Sequence, residues 1–322
     1  MSFSRAMRRC VPVSLGGAAA AVLLPDVLGL DGRLPMLAAL AWRPQAVVGV
    51  AAAGAALGAW RTTRPAGVAL GTVAAAGAVA VARRMPARDD DGAAGEPLTV
   101  LSANVFTGLA DAGQLAGLIE REVPDLVVLP EAGCDFLDKL LPLVAHLGYR
   151  GWAATPPGVP DIMGVVLLAG PRAGPLKVEP SSDLRYRHLR ASGGILGDRE
   201  LFAVHVTAPR KRWLASRWRR ELGVIGRWTR RTPAPIVVGD LNASLDNGPL
   251  RAALGGCVPV ARGRDALVGT YPSGLPRWFG IQIDHVLVPA GTATLHLGVH
   301  DVSGTDHRAV VARLVLPGPS LR

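Results

Sequence analysis

Hydrophobic positions are spread unevenly along this chain. As far as residue 85 they run almost unbroken, as Ala, Gly, Val and Leu, in three stretches. The first, Val11 to Leu30, is interrupted by Pro25 and Asp26; the second, Met36 to Trp60, by Arg43; the third, Ala66 to Ala82, is closed by Arg83 and Arg84. A bilayer span takes about 20 mostly apolar residues, and each stretch is read as a membrane helix, the first imperfect and the third short. A soluble helical bundle would carry polar residues at helical spacing on an outer face, and these stretches carry almost none. A cleaved signal peptide behind Arg8 and Arg9 would account for the first stretch and leave the other two unexplained.

Beyond Asp89-Asp90-Asp91 the rhythm changes. Short β-type runs recur at Leu98 to Ala103, Leu126 to Leu129, Val165 to Leu168, Leu201 to Val206, Ile236 to Val238, His285 to Val288 and Val310 to Leu316. Helical stretches lie between some of them: Leu115 to Glu122, Phe136 to Leu147, and Trp213 to Thr229 with its stripe of Leu214, Trp218, Leu222, Ile225 and Trp228. Strands interleaved with helices over this length predict a layered α/β domain. The expected organisation is a membrane anchor of about three transmembrane helices over residues 1–95, then one α/β domain over residues 96–322.

Composition narrows this picture. Of 322 residues 49% are hydrophobic and 19% charged, which excludes a disordered chain. The net charge of +10 suits nucleic acid, anionic lipid or a phosphorylated small substrate. Cys10, Cys134 and Cys257 form no metal-binding framework, and Cys134 and Cys257 read as buried thiols rather than a bridge. Arg5, Arg8 and Arg9 precede the first span, and Arg61 and Arg64 separate the second from the third. That bias puts the N-terminus inside and, after three crossings, the α/β domain outside. The expectation is a multi-pass protein of the cell membrane with an extracytoplasmic domain. Arg83, Arg84 and Arg88 pull the other way, and two spans would leave the domain in the cytoplasm.

The chemistry lies in what ends the strands. Asn104 follows the first run and Glu131 the second; His205 ends a third; Gly239-Asp240-Leu241-Asn242 ends a fourth; Asp284-His285 opens a fifth; Thr305-Asp306-His307 precedes the last. Singly, each is a turn or cap residue. Six such segments along one domain point to an assembled site. Hydrolysis of a phosphoester needs a hard cation to neutralise phosphate oxygens, and Mg²⁺ or Mn²⁺ held by a few oxygens suits Asn104, Glu131 and Asp306. Asp240, expected as a surface-edge carboxylate, suits activation of water. Asn242 and His307 suit donation to the developing charge. Asp284 suits holding His307 charged, and His205 suits contact with the phosphate from the other side.

Together these segments resemble the endonuclease/exonuclease/phosphatase superfamily, which includes DNase I-like nucleases, inositol polyphosphate phosphatases and neutral sphingomyelinases. The resemblance spans about residues 97 to 316. It rests on Ser102-Ala103-Asn104-Val105, Pro130-Glu131, the His205 segment, Gly239 to Asn242, Ile283-Asp284-His285-Val286 and Thr305 to Val310. It implies a four-layer α/β/β/α sandwich with a metal-dependent site: Asn104, Glu131 and Asp306 at the metal, Asp240 activating water, Asp284 paired with His307. Two departures bear on substrate. Phe106 stands where nucleases of the family often carry a carboxylate, and Pro130 where Gln commonly precedes the metal-binding Glu.

The N-terminal spans are similar to the membrane-anchored branch that includes teicoplanin-resistance phosphatases. That likeness implies a lipid phosphate or polyprenyl diphosphate as substrate, since tethering concentrates an enzyme on lipid rather than on a diffusible molecule. Arg210 to Arg231, with eight Arg, Lys211 and three Trp, would suit an anionic bilayer or a nucleic-acid backbone; Trp218 and Trp228 read as core. The loop from Thr270 to Gly280, with Trp278 and Phe279, is the candidate for touching lipid. A surface-tethered nuclease on DNA or RNA is the second reading. An inactive binding or scaffold module is the third, and Glu131, Asp240 and His307 speak against it.

Overall fold

The apolar N-terminal stretches fold as four helices: α1 (Arg5–Leu23), α2 (Leu34–Ala41), α3 (Arg43–Gly58) and α4 (Arg64–Arg83). This computed structural model describes residues 5–31, 33–84 and 95–318, with side chains from residue 11 onward. Arg88 and the boundary cluster Asp89-Asp90-Asp91 lie outside the described residues, as do the side chains of Arg5, Arg8, Arg9 and Cys10. The chain divides into two compact units, residues 1–86 with 244–248, and residues 87–243 with 249–322.

In the helical unit one helix, Arg64–Arg83, is long and apolar enough to cross a membrane. The expected second span is broken: α2 and α3 bend by 83° at Trp42. Pro44 is the cause, because it has no N–H to donate to the carbonyl four residues back and its ring clashes with that carbonyl, so it begins α3 instead of continuing α2. Counted as one bent span, the pair makes two. The apolar part of α1, Val11–Leu23, falls short of a full crossing. Three clear transmembrane helices are therefore not found among the described residues.

Glycine sets how closely these helices pack. A Cβ on Gly67 would lie 2.4 Å from Gly58 N and 2.7 Å from Gly54 O. Gly54 and Gly58 on α3, and Gly67 and Gly71 on α4, have the four-residue spacing by which small residues let apolar helices touch backbone to backbone. Arg43, read as an interruption, is buried and paired with Asp26 and with Asp246 (3.1 Å), which also meets Arg84 (2.9 Å).

The α/β unit is built on two six-stranded sheets. The first has the order β11 (Ala293–His300), β12 (Ala309–Val315), β1 (Leu98–Ser102), β2 (Leu126–Pro130), β4 (Val165–Ala169), β3 (Arg150–Ala153). The second runs β5 (Leu176–Ser181), β6 (His188–Gly193), β7 (Glu200–His205), β8 (Ile236–Asp240), β10 (Asp284–Pro289), β9 (Cys257–Pro259). Side chains alternate across each strand. Leu98, Val100, Leu126, Val128, Leu201, Ala203, Ile236 and Val238 fill the space between the sheets. Leu101, Val127 and Leu129 face out onto Leu115, Ile119, Phe136 and Leu140 of α5 (Ala112–Glu122) and α6 (Cys134–Val144). On the second sheet's outer face Phe202 stacks on Trp228 (4.2 Å) of α7 (Arg212–Trp228), whose Trp218 is fully buried. The four-layer mixed α/β architecture is as expected, and Trp218 and Trp228 are core. Cys134 and Cys257 are free thiols, Cys257 buried and Cys134 partly so.

Topology explains why the polar segments converge. Each sheet contains one parallel pair joined through a helix, β1–α5–β2 and β7–α7–β8. Such a pair presents both of its C-terminal ends on one edge. Neighbours that run antiparallel bring their starts to the same edge, so Asp284 at the head of β10 lies in register with Asp240 at the tail of β8. Likewise Ser102 at the end of β1 opposes Val310 near the start of β12, just beyond His307.

Candidate active site

All eight residues singled out above gather at this edge. The first sheet contributes Asn104 after β1, Glu131 after β2, and Asp306 and His307 before β12; the second contributes His205, Asp240, Asn242 and Asp284. Asn104 Nδ2 donates to Glu131 Oε1 (3.2 Å) and to Asp240 Oδ2 (3.1 Å), tying the two sheets together. Its Oδ1 accepts the Phe106 amide (2.9 Å), and the Thr107 amide donates to Glu131 Oε2 (3.0 Å). As oriented, Asn104 holds the carboxylates rather than offering them its oxygen.

The loops after the strands adopt left-handed backbone at Phe106, Thr107, Glu131 and Asn242, with φ of 45°, 56°, 58° and 47°. Non-glycine residues held there tend to mark sites where geometry outweighs local preference. At Asn242 that turn lets its amide donate to Asp240 Oδ1 (2.7 Å), while its Nδ2 reaches Val206 O (2.9 Å) and Asp240 Oδ2 (3.2 Å).

Asp240 is 1% exposed, so it is a buried carboxylate and not the surface-edge group expected from its place at a strand end. Strand β8 runs through Asp240 rather than stopping before it, which draws the side chain inside. Burial first, and the nearby Asp284 charge second, push its acid up to about 7. Burial also raises Glu131, against the hydrogen bond from Asn104.

The two imidazoles differ sharply. Burial opposes charge on His307, yet Asp284 Oδ2 lies 2.9 Å from its Nδ1 and overrides this, raising the imidazolium to about 10. Asp284 is held below the usual carboxylate range: burial would raise it and the His307 charge outweighs that. His205, equally buried but 3.7 Å from Glu131 and 3.8 Å from Asp240, is pushed down to about 3, by burial first and then by the charge on His307. One ring is a cation pointing Nε2 at Asp240 (3.9 Å) and Asp306 (3.9 Å); the other is neutral.

A divalent cation fits this donor set. Asp306 Oδ1 is buried without a hydrogen-bond partner among the described residues, a costly state for an anionic oxygen. With Glu131 it offers hard oxygens beside Asp240. Atoms of Asp240, Asp284 and His307 also lie within 4.8 Å of one another. His307 as the protonated partner of Asp284 is a poor ligand there, so Glu131 and Asp306 are the better holders.

Three supporting residues were not read from the sequence. Thr305 Oγ1 donates to Asn104 O (2.7 Å) and accepts the His307 amide (3.1 Å). Thr270 Oγ1 accepts the amides of Ile283 (3.2 Å) and Asp284 (3.3 Å). Tyr186 stacks on His205 with ring centroids 4.3 Å apart and planes at 9°. Thr305 lies inside the recognised Thr-Asp-His segment; nothing in the sequence marks the other two.

Among solved structures, an endonuclease/exonuclease/phosphatase protein from Beutenbergia cavernae is 21% identical with a TM-score of 0.53, covering 71% of this chain and 74% of its own. A humanised TDP2 from D. rerio is 16% identical with a TM-score of 0.52, covering 68% of this chain and 98% of its own. A 3′ phosphatase, NExo, from Neisseria, bound to a product DNA hairpin, is 15% identical with a TM-score of 0.52, covering 67% and 98%. At these identities the likeness is one of fold. A search of curated proteins finds no match. Residues 101–307, from the end of β1 to His307, match the Endonuclease/Exonuclease/phosphatase family, and the match takes in every residue of the site described above. The chain belongs to that family, whose members hydrolyse phosphoester bonds.

Proposed function

We propose that this phosphoesterase hydrolyses a lipid phosphate, most specifically a polyprenyl diphosphate, at the surface of a membrane that holds its helical unit. The supporting observation is the surface of that unit. Val48 is 69% and Val68 63% exposed, in helices that carry almost no charge on their flanks. Apolar surface on this scale demands a non-aqueous neighbour. In the α/β unit Trp278 is 75% exposed on the loop that leads to Asp284, an aromatic suited to a lipid interface. Phe106 and Pro130 support the same reading against a nuclease. The arginine distribution supports an extracytoplasmic catalytic unit in a multi-pass protein of the cell membrane.

The chemistry follows from the site. Asp240, kept weakly acidic by burial, orients the attacking water and takes its proton. The His307 cation, fixed by Asp284, donates to the charge that develops on the phosphoryl oxygens, while Asn242, whose donors go to Asp240 and Val206, holds the Asp240 carboxylate in place. His205, neutral and stacked on Tyr186, walls the opposite side. A divalent metal, which we take as Mg²⁺ or Mn²⁺, would be held by Glu131 and Asp306 and would neutralise phosphate oxygens when bound.

A surface-tethered nuclease is the second reading. It is favoured by the neighbours whose structures contain DNA, the D. rerio TDP2 with a single-strand DNA product and NExo with its hairpin. The deciding experiment is phosphate release from a polyprenyl diphosphate in detergent with Mg²⁺, with Asp240→Ala as blank. Release by the wild type alone, silenced by EDTA and restored by Mg²⁺ or Mn²⁺, is expected. No release, together with cleavage of single-stranded DNA, would establish the nuclease instead.

A further inference from the structure

A column of rings and cations leads outward from the site. His205 stacks on Tyr186; the guanidinium of Arg185 lies over the Tyr186 ring at 5.5 Å and over the Trp213 ring at 5.5 Å. The backbone under this column is fixed. Glu221, a buried carboxylate of α7, accepts the amide of Arg185 on Oε1 (2.9 Å) and the amide of Thr207 on Oε2 (2.8 Å), clamping the loop before β6 to the end of β7. Burial keeps the Tyr186 phenol protonated, above its usual range.

Arg185 is the unusual member. Several other arginines of the α/β unit are already engaged. Arg190 and Arg231 pair with Glu200, Arg230 caps Gly226 and Ala252, and Arg308 pairs with Asp301. The Arg185 side chain has no carboxylate or carbonyl acceptor among the described residues. With its carbon over two rings and no such acceptor, the guanidinium has N–H donors to spare, and these form the fork that takes phosphate oxygens two at a time. Arg210, also without an acid partner among the described residues, adds its positive charge to the surroundings of both Tyr186 and His205. Neither cation is needed to balance the acids of the site, which face His307.

We infer that Arg185, held over Tyr186 and Trp213 and backed by Arg210, forms a second phosphate subsite that receives the non-reacting phosphate of a diphosphate while its neighbour reacts at Asp240 and His307. This deepens the lipid-diphosphate reading and rests on it for the natural substrate; the chemistry recognised is a pair of linked phosphates. Tyr186 passes position from the subsite to His205, and Trp213, 57% exposed, covers the guanidinium from solvent.

The test uses the full chain in detergent at fixed free Mg²⁺, with bis(p-nitrophenyl) phosphate as a substrate that has a single phosphate. Inorganic pyrophosphate and inorganic phosphate are compared as competitive inhibitors. In the wild type pyrophosphate should bind at least tenfold more tightly than phosphate. In Arg185→Ala that preference should fall to within about twofold while kcat on the model diester stays within threefold. Arg185→Lys, which keeps the charge and loses the fork, should lie between. Equal loss of diester turnover and pyrophosphate binding in Arg185→Ala would reveal a folding or general charge effect and overturn the subsite, as would an unchanged preference. Single-stranded DNA as a third competitor separates the sources: Arg185-dependent binding of DNA without pyrophosphate preference also overturns it. The lipid arm fails independently. If the wild type releases nothing from polyprenyl diphosphate but its pyrophosphate preference depends on Arg185, the lipid reading falls and the subsite stands.

Discussion

In the α/β unit Val, Leu and Phe fill two apolar layers, and the buried His205, Asp240, Asp284 and His307 collect at one sheet edge. In the helical unit the outer face is inverted: Leu23, Leu40 and Leu70 are buried as in any core, but apolar side chains also face outward. Val13, Val27, Val48 and Val68 lie on the outside, and a fully buried Arg43 sits inside with Asp26 and Asp246. On the membrane reading proposed above, each pattern answers a different solvent. Water rewards removal of apolar area, which fills the layers of the α/β unit. A hydrocarbon surrounding gives no such reward; there glycine contact and internal charge pairing hold helices together. The difference teaches that the two units can be perturbed separately, and each variant below alters one while leaving the other as its control.

The largest effect belongs to Asp240. Asp240→Asn keeps the volume of this buried group and one accepting oxygen, for the bond from Asn104 or from the Asn242 amide, while removing the proton acceptor. Turnover should fall by at least about 10³-fold, with unchanged membrane fractionation and unfolding midpoint. Retained activity would move the water-activating role elsewhere in the site. Asp284→Asn comes next. It removes the carboxylate that keeps His307 charged despite burial, and kcat should drop by about 10²- to 10³-fold with KM little altered. A rise in KM without loss of kcat would make the pair a binding element instead.

The comparison also explains what could be read from the chain alone. All seven expected strands form, because each is a largely apolar run in the interior of a sheet, buried on both faces but for Arg313 of β12. Strands β3, β5, β6, β9 and β11 were not foreseen. All but β6 are sheet edges, and β6 lies next to one; polar residues, as in Leu176–Ser181 and His188–Gly193, break the apolar run. The site residues were legible because Asn104, Glu131, Asp240, Asp284 and His307 end or begin strands, and strand ends are marked by where apolar runs stop. Their depth was not. Asp240 looked like a surface group because its strand was cut at Val238. Tyr186 and Arg185 lie in a loop and depend on a contact with α7 that no local pattern announces. In the helical unit composition fixed the apolar character, and Pro44 decided the bend that composition concealed.

A smaller effect tests the α/β unit against pH. His188, on β6, is buried against Trp228 with both ring nitrogens unpartnered among the described residues, and burial depresses it to about 4. A histidine depressed in the folded state contributes fully above its unfolded value, about 6.5. Below that the unfolded chain takes up a proton the folded chain refuses, so stability falls as pH drops from about 6.5 towards 4. The loss is about 2 kcal/mol by pH 5 and about 3 kcal/mol by pH 4. Denaturant unfolding followed by tryptophan fluorescence, in His188→Leu against wild type, isolates this histidine from every other titrating group. The variant should lose that part of the pH dependence; identical slopes would mean that the imidazole is hydrated or paired when folded.

The smallest expected effect bears directly on the inversion between the units. Ala75 is exposed near the middle of α4, and Ser216 is exposed on α7. An aspartate at either position meets no clash, so the surrounding medium decides the outcome. Facing water, each change should stay within about 0.7 kcal/mol, the spread of helix propensity. Facing hydrocarbon at a helix centre, aspartate costs about 2.5 kcal/mol or more, roughly a 70-fold shift in the insertion equilibrium. Ala75→Asp should therefore release a measurable share of the chain from membranes on alkaline extraction while the released α/β unit still cleaves a soluble diester. Ser216→Asp should change neither. If Ala75→Asp is as silent as Ser216→Asp, the exposed valines of the helical unit face water or another protein, and the inverted pattern reports a protein partner rather than a bilayer.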